Sequence, residues 1–127
     1  MTAYLEWFED YFVMHYEDIV TIDETAVLYS DILAKDNFYD MKFGIVDTTK
    51  LIEANYDNYD YERHAALTVV AERSRGIRNL KIGVVVINPK VAEYVKLLKE
   101  KTASHQHSWH RKLFSSMEEA LTWCKKT

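Results

Sequence analysis

The sequence predicts an α/β domain built on an open, mostly parallel sheet that is entered through a β-hairpin, with elements in the order ββαβαβαβα. Three observations predict it. Leu80–Ile87 is a run of Leu, Ile and Val interrupted only by Lys81 and Gly83, and a strand apolar on successive residues is one buried on both faces, as in a parallel sheet covered by helices. Segments with helical periodicity alternate with short apolar runs, the pattern of β-α units joined by right-handed crossovers. Helix starts are marked by capping signals: Thr21 with Glu24, Asn88 with Pro89, and Ser116 with Glu119.

Taken in order, Tyr4–Phe8 and Tyr11–Tyr16 are aromatic and β-branched, as strands are, and Glu9-Asp10 between them makes a tight hairpin turn without glycine. Thr21–Lys35 reads as a helix, with Ala26, Leu28, Tyr29, Ile32 and Leu33 at helical spacing and Asp36-Asn37 ending it. Met41–Val46 reads as a buried strand that empties into a polar loop, Asp47-Thr48-Thr49, with Leu51–Ala54 continuing as a turn of helix. Asn55–Tyr61 is a loop rich in Asn, Asp and Tyr leading into a helix over Tyr59–Ser74, after which Gly76 stands where glycine closes a helix. The Leu80–Ile87 strand is followed by a helix over Val91–Lys101, with Val91, Tyr94, Val95 and Leu98 on one face. His105–His110 is a polar loop and Arg111–Phe114 a short edge strand. Ser115 or Ser116 then caps a last helix with Ala120, Leu121, Trp123 and Cys124 on its apolar side.

A chain of 127 residues fits one domain, 1–127, and buries roughly two-thirds of its unfolded surface, so it needs neither metal nor disulfide to fold. Cys124 is the only cysteine, which fits a reducing compartment and leads us to expect a cytoplasmic protein. Met1–Asp10 has no secretory-signal pattern, and the longest apolar run, Ile82–Ile87, is far shorter than the roughly 20 residues a membrane span requires. The net charge of −4 is spread along the chain, which argues against a nucleic-acid or anionic-membrane surface. Aromatics reach 13%, with nine tyrosines; tyrosine suits a half-wet core edge, and equally a ligand pocket or subunit interface.

No Gly-rich phosphate loop, nucleophile elbow, HExxH or Cys/His zinc spacing occurs, and no cofactor is expected. Asp47, at the end of a central strand, stands where open α/β sheets place ligands, although an Asx side chain commonly just caps the next turn. Thr48 and Thr49 can offer hydroxyls from the same loop. Asn88, after the following strand, completes a polar mouth with Asp47 if the two strands are neighbours. His105, His107 and His110 form the histidine cluster, but no cysteine or carboxylate lies beside them to complete a metal shell, and a solvated loop is the commoner outcome. His64 sits within a helix, more often a semi-buried place than a catalytic one. Arg73, Arg75, Arg78 and Lys81 make a basic cluster whose ordinary role is to offset the negative end of a helix dipole.

Lys112-Leu113-Phe114-Ser115-Ser116-Met117-Glu118-Glu119-Ala120-Leu121-Thr122-Trp123 resembles the ending of SpoIIAA-like proteins, relatives of the STAS domain. Phe43-Gly44-Ile45-Val46-Asp47-Thr48-Thr49 resembles the central strand of that family, and the element order agrees over nearly the whole chain. The resemblance implies an open sheet in a β-α superhelix and a binding or regulatory role. STAS-type antagonists carry a phosphorylated serine at the start of the helix after the central strand. Here Asn55–Tyr61 occupies roughly that place, and no Ser or Thr lies between Lys50 and Arg63, so a phosphate switch of that kind has no acceptor.

Two functional expectations follow. The first is a non-enzymatic regulatory or protein-interaction module. The second is a small-molecule or lipid-binding domain, since SpoIIAA-like proteins also resemble lipid-carrying CRAL-TRIO domains. Asp47, Thr48, Thr49, Tyr56, Tyr59 and Asn88 are the candidate contacts for ligand or partner in either case. A short edge strand and exposed aromatics also suit a homodimer. An enzyme using Asp47, His64 or Asn88 is the third and least supported reading.

Overall fold

A computed structural model of the protein describes residues 2–36, 38–74, 80–103 and 109–126. Over these residues the chain forms five strands and four helices in the expected order. The strands are β1 (Ala3–Trp7), β2 (Tyr11–Thr21), β3 (Phe43–Asn55), β4 (Lys81–Val85) and β5 (His110–Phe114). The helices are α1 (Ile22–Ala34), α2 (Asn58–Ser74), α3 (Pro89–Ala103) and α4 (Met117–Lys125), and a single 3-10 turn covers Phe38–Asp40. The sheet runs β1-β2-β3-β4-β5, antiparallel between β1 and β2 and parallel thereafter.

The hairpin forms on the expected two-residue turn, closed by the Phe8 N–H donating to Tyr11 O at 2.9 Å. The capping signals are also used as read. Thr21 and Glu24 make a reciprocal capping box at α1. The Asn88 side chain accepts from the Lys90 N–H ahead of Pro89, and Ser116 accepts from the Glu119 N–H at α4.

The pleat divides the core. Phe12, Met14 and Tyr16 on β2 and Ile82 and Val84 on β4 pack under α1, α2 and α3. Their neighbours Val13, Ile45 and Val85 point the other way and pack with Ala120 and Cys124 of α4. β4 is therefore buried on both faces over Ile82–Val85, which is why its sequence is apolar there, but it ends two residues short of the expected Ile87, which is 61% exposed. Gly83 lets α4 sit close: a Cβ there would stand 3.0 Å from that of Ala120.

The central strand differs from expectation. Phe43–Asn55 is one strand of 13 residues, so Asp47-Thr48-Thr49 is not a loop and Leu51–Ala54 is not helical. The cause is tertiary: β2 also runs on to Thr21 and pairs with β3 as far as Thr21↔Asn55, whereas β4 pairs with β3 only to Asp47↔Val85. A two-stranded parallel ribbon, Glu17–Thr21 with Lys50–Asn55, thus projects past the rest of the sheet. Two register shifts interrupt it, between His15 and Glu17 and between Asp18 and Ile19. At the second, Asp18 takes φ 56°, the left-handed region that Asp tolerates better than most residues.

Candidate functional site

Two regions bring chemistry together, one on each face of the sheet. On the face opposite α1–α3, α4 packs against β3, β4 and β5. A nine-residue helix is only about 13 Å long, and the side chains of β1, of most of β2 and of the ribbon lie beyond it.

That open area is organised in three bands. At one end Phe8, 38% exposed, stacks on the partly buried Tyr11 with centroids 4.4 Å apart, and Tyr11 stacks at 4.7 Å on Phe43, which is buried in the cluster under α4. In the middle His15 ties three strands together: Nε2 lies 2.9 Å from Glu6 Oε1 on β1 and Nδ1 3.2 Å from Asp47 Oδ2 on β3. Tyr4 stacks on the His15 ring at 4.7 Å and donates its hydroxyl to Glu17 at 2.7 Å. Glu17 also stands 3.9 Å from Lys50 Nζ. At the ribbon end Ile19 is 49% and Ile52 58% exposed. Their neighbours Val20 and Leu51 are buried with the helices, so alternation turns the two isoleucines to the open side.

On the other face a cleft of about 70 Å³ lies between β2–β3 and α2–α3, and its polar and aromatic lining residues are Tyr16, Thr48, Tyr56, Tyr61, His64 and Tyr94. An adjoining lobe of about 60 Å³ shares Tyr16, Val46, His64, Val95 and Leu98 and reaches Arg111. His64 is buried, and desolvation, assisted by the Arg111 charge, lowers its pKa to about 3. Its Nδ1 is 3.1 Å from the Tyr56 hydroxyl, which is 2.6 Å from that of Thr25. Burial likewise raises the Tyr56 pKa, and raises that of Glu72 to about 7 against the opposing pull of Arg111, 3.4 Å away.

The candidate residues divide between these regions. Asp47 and Thr49 belong to the open face, where the Thr49 N–H and hydroxyl donate to Asp47 Oδ1 at 3.0 and 2.7 Å. Thr48, one residue between them, points into the cleft and donates to Val85 O at 2.8 Å. Tyr56 lines the cleft, Tyr59 is 70% exposed at the start of α2, and Asn88 caps α3. Asp47 and His64 therefore serve opposite faces of the sheet. Lys81 donates to Trp123 O and Lys126 O, satisfying the C-terminal carbonyls of α4. Arg75, Gly76, Arg78, His105 and His107 lie outside the described residues, and His110 is exposed at the start of β5. Among the described residues no cluster of His, Cys, Asp and Glu could hold a metal ion, and no helix is long and apolar enough to cross a membrane.

No protein-family model matches the chain, and no curated protein does. A solved structure does: the crystal structure of an uncharacterized protein from the DUF3478 family, with a SpoIIAA-like fold, from Shewanella loihica. It aligns with a TM-score of 0.54 at 14% identity, over 96% of this chain and 91% of that one. The fold is SpoIIAA-like.

Within the SpoIIAA-like fold the start of α2 is self-contained. The Asp60 N–H donates to Asp57 Oδ1 at 2.8 Å, and the Asp57 N–H to Asp60 Oδ2 at 3.2 Å. The two carboxylates thus bond each other's backbone N–H at the helix start, the reciprocal arrangement of a capping box. Glu6, His15 and Tyr16 were not singled out from the sequence. The first two were recoverable: a two-residue turn at Glu9-Asp10 fixes Tyr4 opposite His15 and Glu6 opposite Val13. Nothing local marks Tyr16.

Proposed function

We propose that this chain is a non-enzymatic protein-interaction module that docks a partner through the open face of its sheet. The observation that carries the reading is the uneven cover: among the described residues three helices pack on one face and the nine-residue α4 alone on the other. A mostly parallel sheet normally has both faces covered. The exposed strip combines aromatic rings, a polar middle and two half-exposed isoleucines, the mixture of anchors and rim found at protein interfaces.

Its charge selects the partner. Glu6, Glu17 and Asp47 share this face with His15 and Lys50, and Asp18 is exposed at the ribbon. A second copy of the chain would set acids against acids, so the fitting partner is a different protein whose surface offers apolar groups flanked by Lys or Arg. A second reading, a small ligand, is favoured by the cleft on the other face.

The test compares proteins recovered by quantitative mass spectrometry with the wild-type chain and with Ile19→Asp/Ile52→Asp. Val70→Asp, on an exposed position of α2, serves as control. The expected outcome is a protein retained by wild type and control and lost from the double variant. That protein, once purified, should protect the amides of 17–21 and 50–55 from exchange. Equal recovery by all three chains, or a wild-type homodimer that the double variant abolishes, sinks the reading.

A further inference from the structure

We infer that the cleft between β2–β3 and α2–α3 is a binding site for a small neutral molecule with an apolar body and one hydroxyl group. This does not depend on the docking surface, which lies across the sheet.

The wall sets the body of the ligand. Val20, Val46, Leu51, Val91, Val95 and Leu98 make up its aliphatic part, beside the rings of Tyr16, Tyr56, Tyr61 and Tyr94. An apolar cavity of about 150 Å³ binds benzene, and two adjoining lobes of about 70 and 60 Å³ are together of that order, which limits the occupant to roughly one ring or a short branched chain. In the first lobe no Lys or Arg lines the wall, and a charged ligand would be desolvated there without a counter-charge; Lys99 and Arg111 border the second lobe alone, where Arg111 already faces Glu72 at 3.4 Å.

Hydrogen bonding sets the polar group. The Thr25 hydroxyl donates to Thr21 O at 3.2 Å, which uses its only proton. At the 2.6 Å contact Tyr56 must then donate to Thr25, and at 3.1 Å the Nδ1–H of His64 must donate to Tyr56. A neutral imidazole donating from Nδ1 presents a bare acceptor at Nε2, and among the described residues Nε2 has no partner. Tyr16 walls both lobes, and its buried hydroxyl has no hydrogen-bond partner among the described residues. Thr25 stands near it and keeps one lone pair besides the one that accepts from Tyr56, but the Tyr16 hydroxyl does not reach hydrogen-bond geometry with it. One acceptor and one idle donor beside the same cleft complement a hydroxyl, which donates to the first and accepts from the second. An orphan hydroxyl in a core also costs stability that phenylalanine would not, as expected of a group kept for binding.

The experiment is an NMR titration of the full chain with phenol, toluene and benzoate, read at the methyl resonances of Val46, Val95 and Leu98. Phenol should shift them saturably and bind about tenfold more tightly than toluene, the worth of one net hydrogen bond. Tyr16→Phe should remove most of that preference while keeping toluene binding and a melting temperature at or above wild type. Leu98→Phe, which fills the junction of the lobes, should abolish binding of both. The inference is overturned if none of the three compounds gives saturable shifts at these methyls, if phenol binds no better than toluene, if benzoate binds best, or if Tyr16→Phe keeps the full preference for phenol.

Discussion

Gly44 shows how closely two residues can depend on each other across the sheet. It pairs with Phe12 in the β2–β3 register, and a Cβ added to it would stand 2.5 Å from the Phe12 Cζ. Phe12 is fully buried, with Trp7 and Phe38 rings packed against it, so it has no free space to retreat into. Gly44→Ala should therefore destabilise the fold by about 1–3 kcal/mol, the usual cost of overpacking, measured by urea unfolding. A cost under about 0.5 kcal/mol would mean that Phe12 has another rotamer available. None of this was legible in the segment Phe43-Gly44-Ile45, because the reason for the glycine lies on another strand. The site residues divide in the same way. The Asx chemistry of Asp47 was legible and is real, since Thr49 donates to it twice. That Asp47, Thr48 and Thr49 would alternate between two unrelated surfaces was not, because it follows from their being in a strand.

At the level of elements, those whose signals are local appear where expected: the hairpin, all four helices and the continuously apolar β4. β3 was misread for a physical reason. Asp-Thr-Thr favours a turn by its own hydrogen bonds, but the ladder to β2 holds the backbone extended, and the local preference survives only as a register shift. The ribbon that results depends on Asp18. Its φ of 56° lets the strand shift register, after which Ile19 faces outward and Val20 inward. A β-branched residue is strained in that conformation and glycine is not. Asp18→Val should accordingly lose about 1–2 kcal/mol of stability and speed amide exchange in 17–21 and 50–55, while Asp18→Gly should stay within about 0.5 kcal/mol of wild type. Equal stability of the two variants would show that the left-handed residue is not what sets the ribbon.

For the molecule as a whole, the element sequence and the mostly parallel sheet were legible because each β-α unit announces itself, whereas the order of strands in the sheet and its uneven cover emerge only from the structure. The helix-covered side carries a property that no single segment shows, a pair of buried groups titrating in opposition. His64 is held neutral with its pKa lowered to about 3, so from the usual 6.5 downward the unfolded chain binds a proton that the folded chain refuses, and stability falls as pH falls. Glu72 has its pKa raised to about 7 from 4.5, so across that interval the folded chain keeps a proton the unfolded chain has lost, and stability falls as pH rises. Each contributes a slope of about 1.4 kcal/mol per pH unit, and between 4.5 and 6.5 the two slopes have opposite signs and cancel. Below 4.5 only His64 of the pair still acts, joined by Glu24, whose pKa is lowered chiefly by the Thr2 hydroxyl. Unfolding free energy should be level between pH 4.5 and 6.5 and fall below that range. Glu72→Gln should expose the histidine slope, with stability rising by about 1.4 kcal/mol per unit across the plateau. His64→Asn should expose the reverse slope. Urea titrations of the three chains at half-unit pH steps decide it: a wild-type plateau that survives either substitution would mean that it does not arise from these two groups.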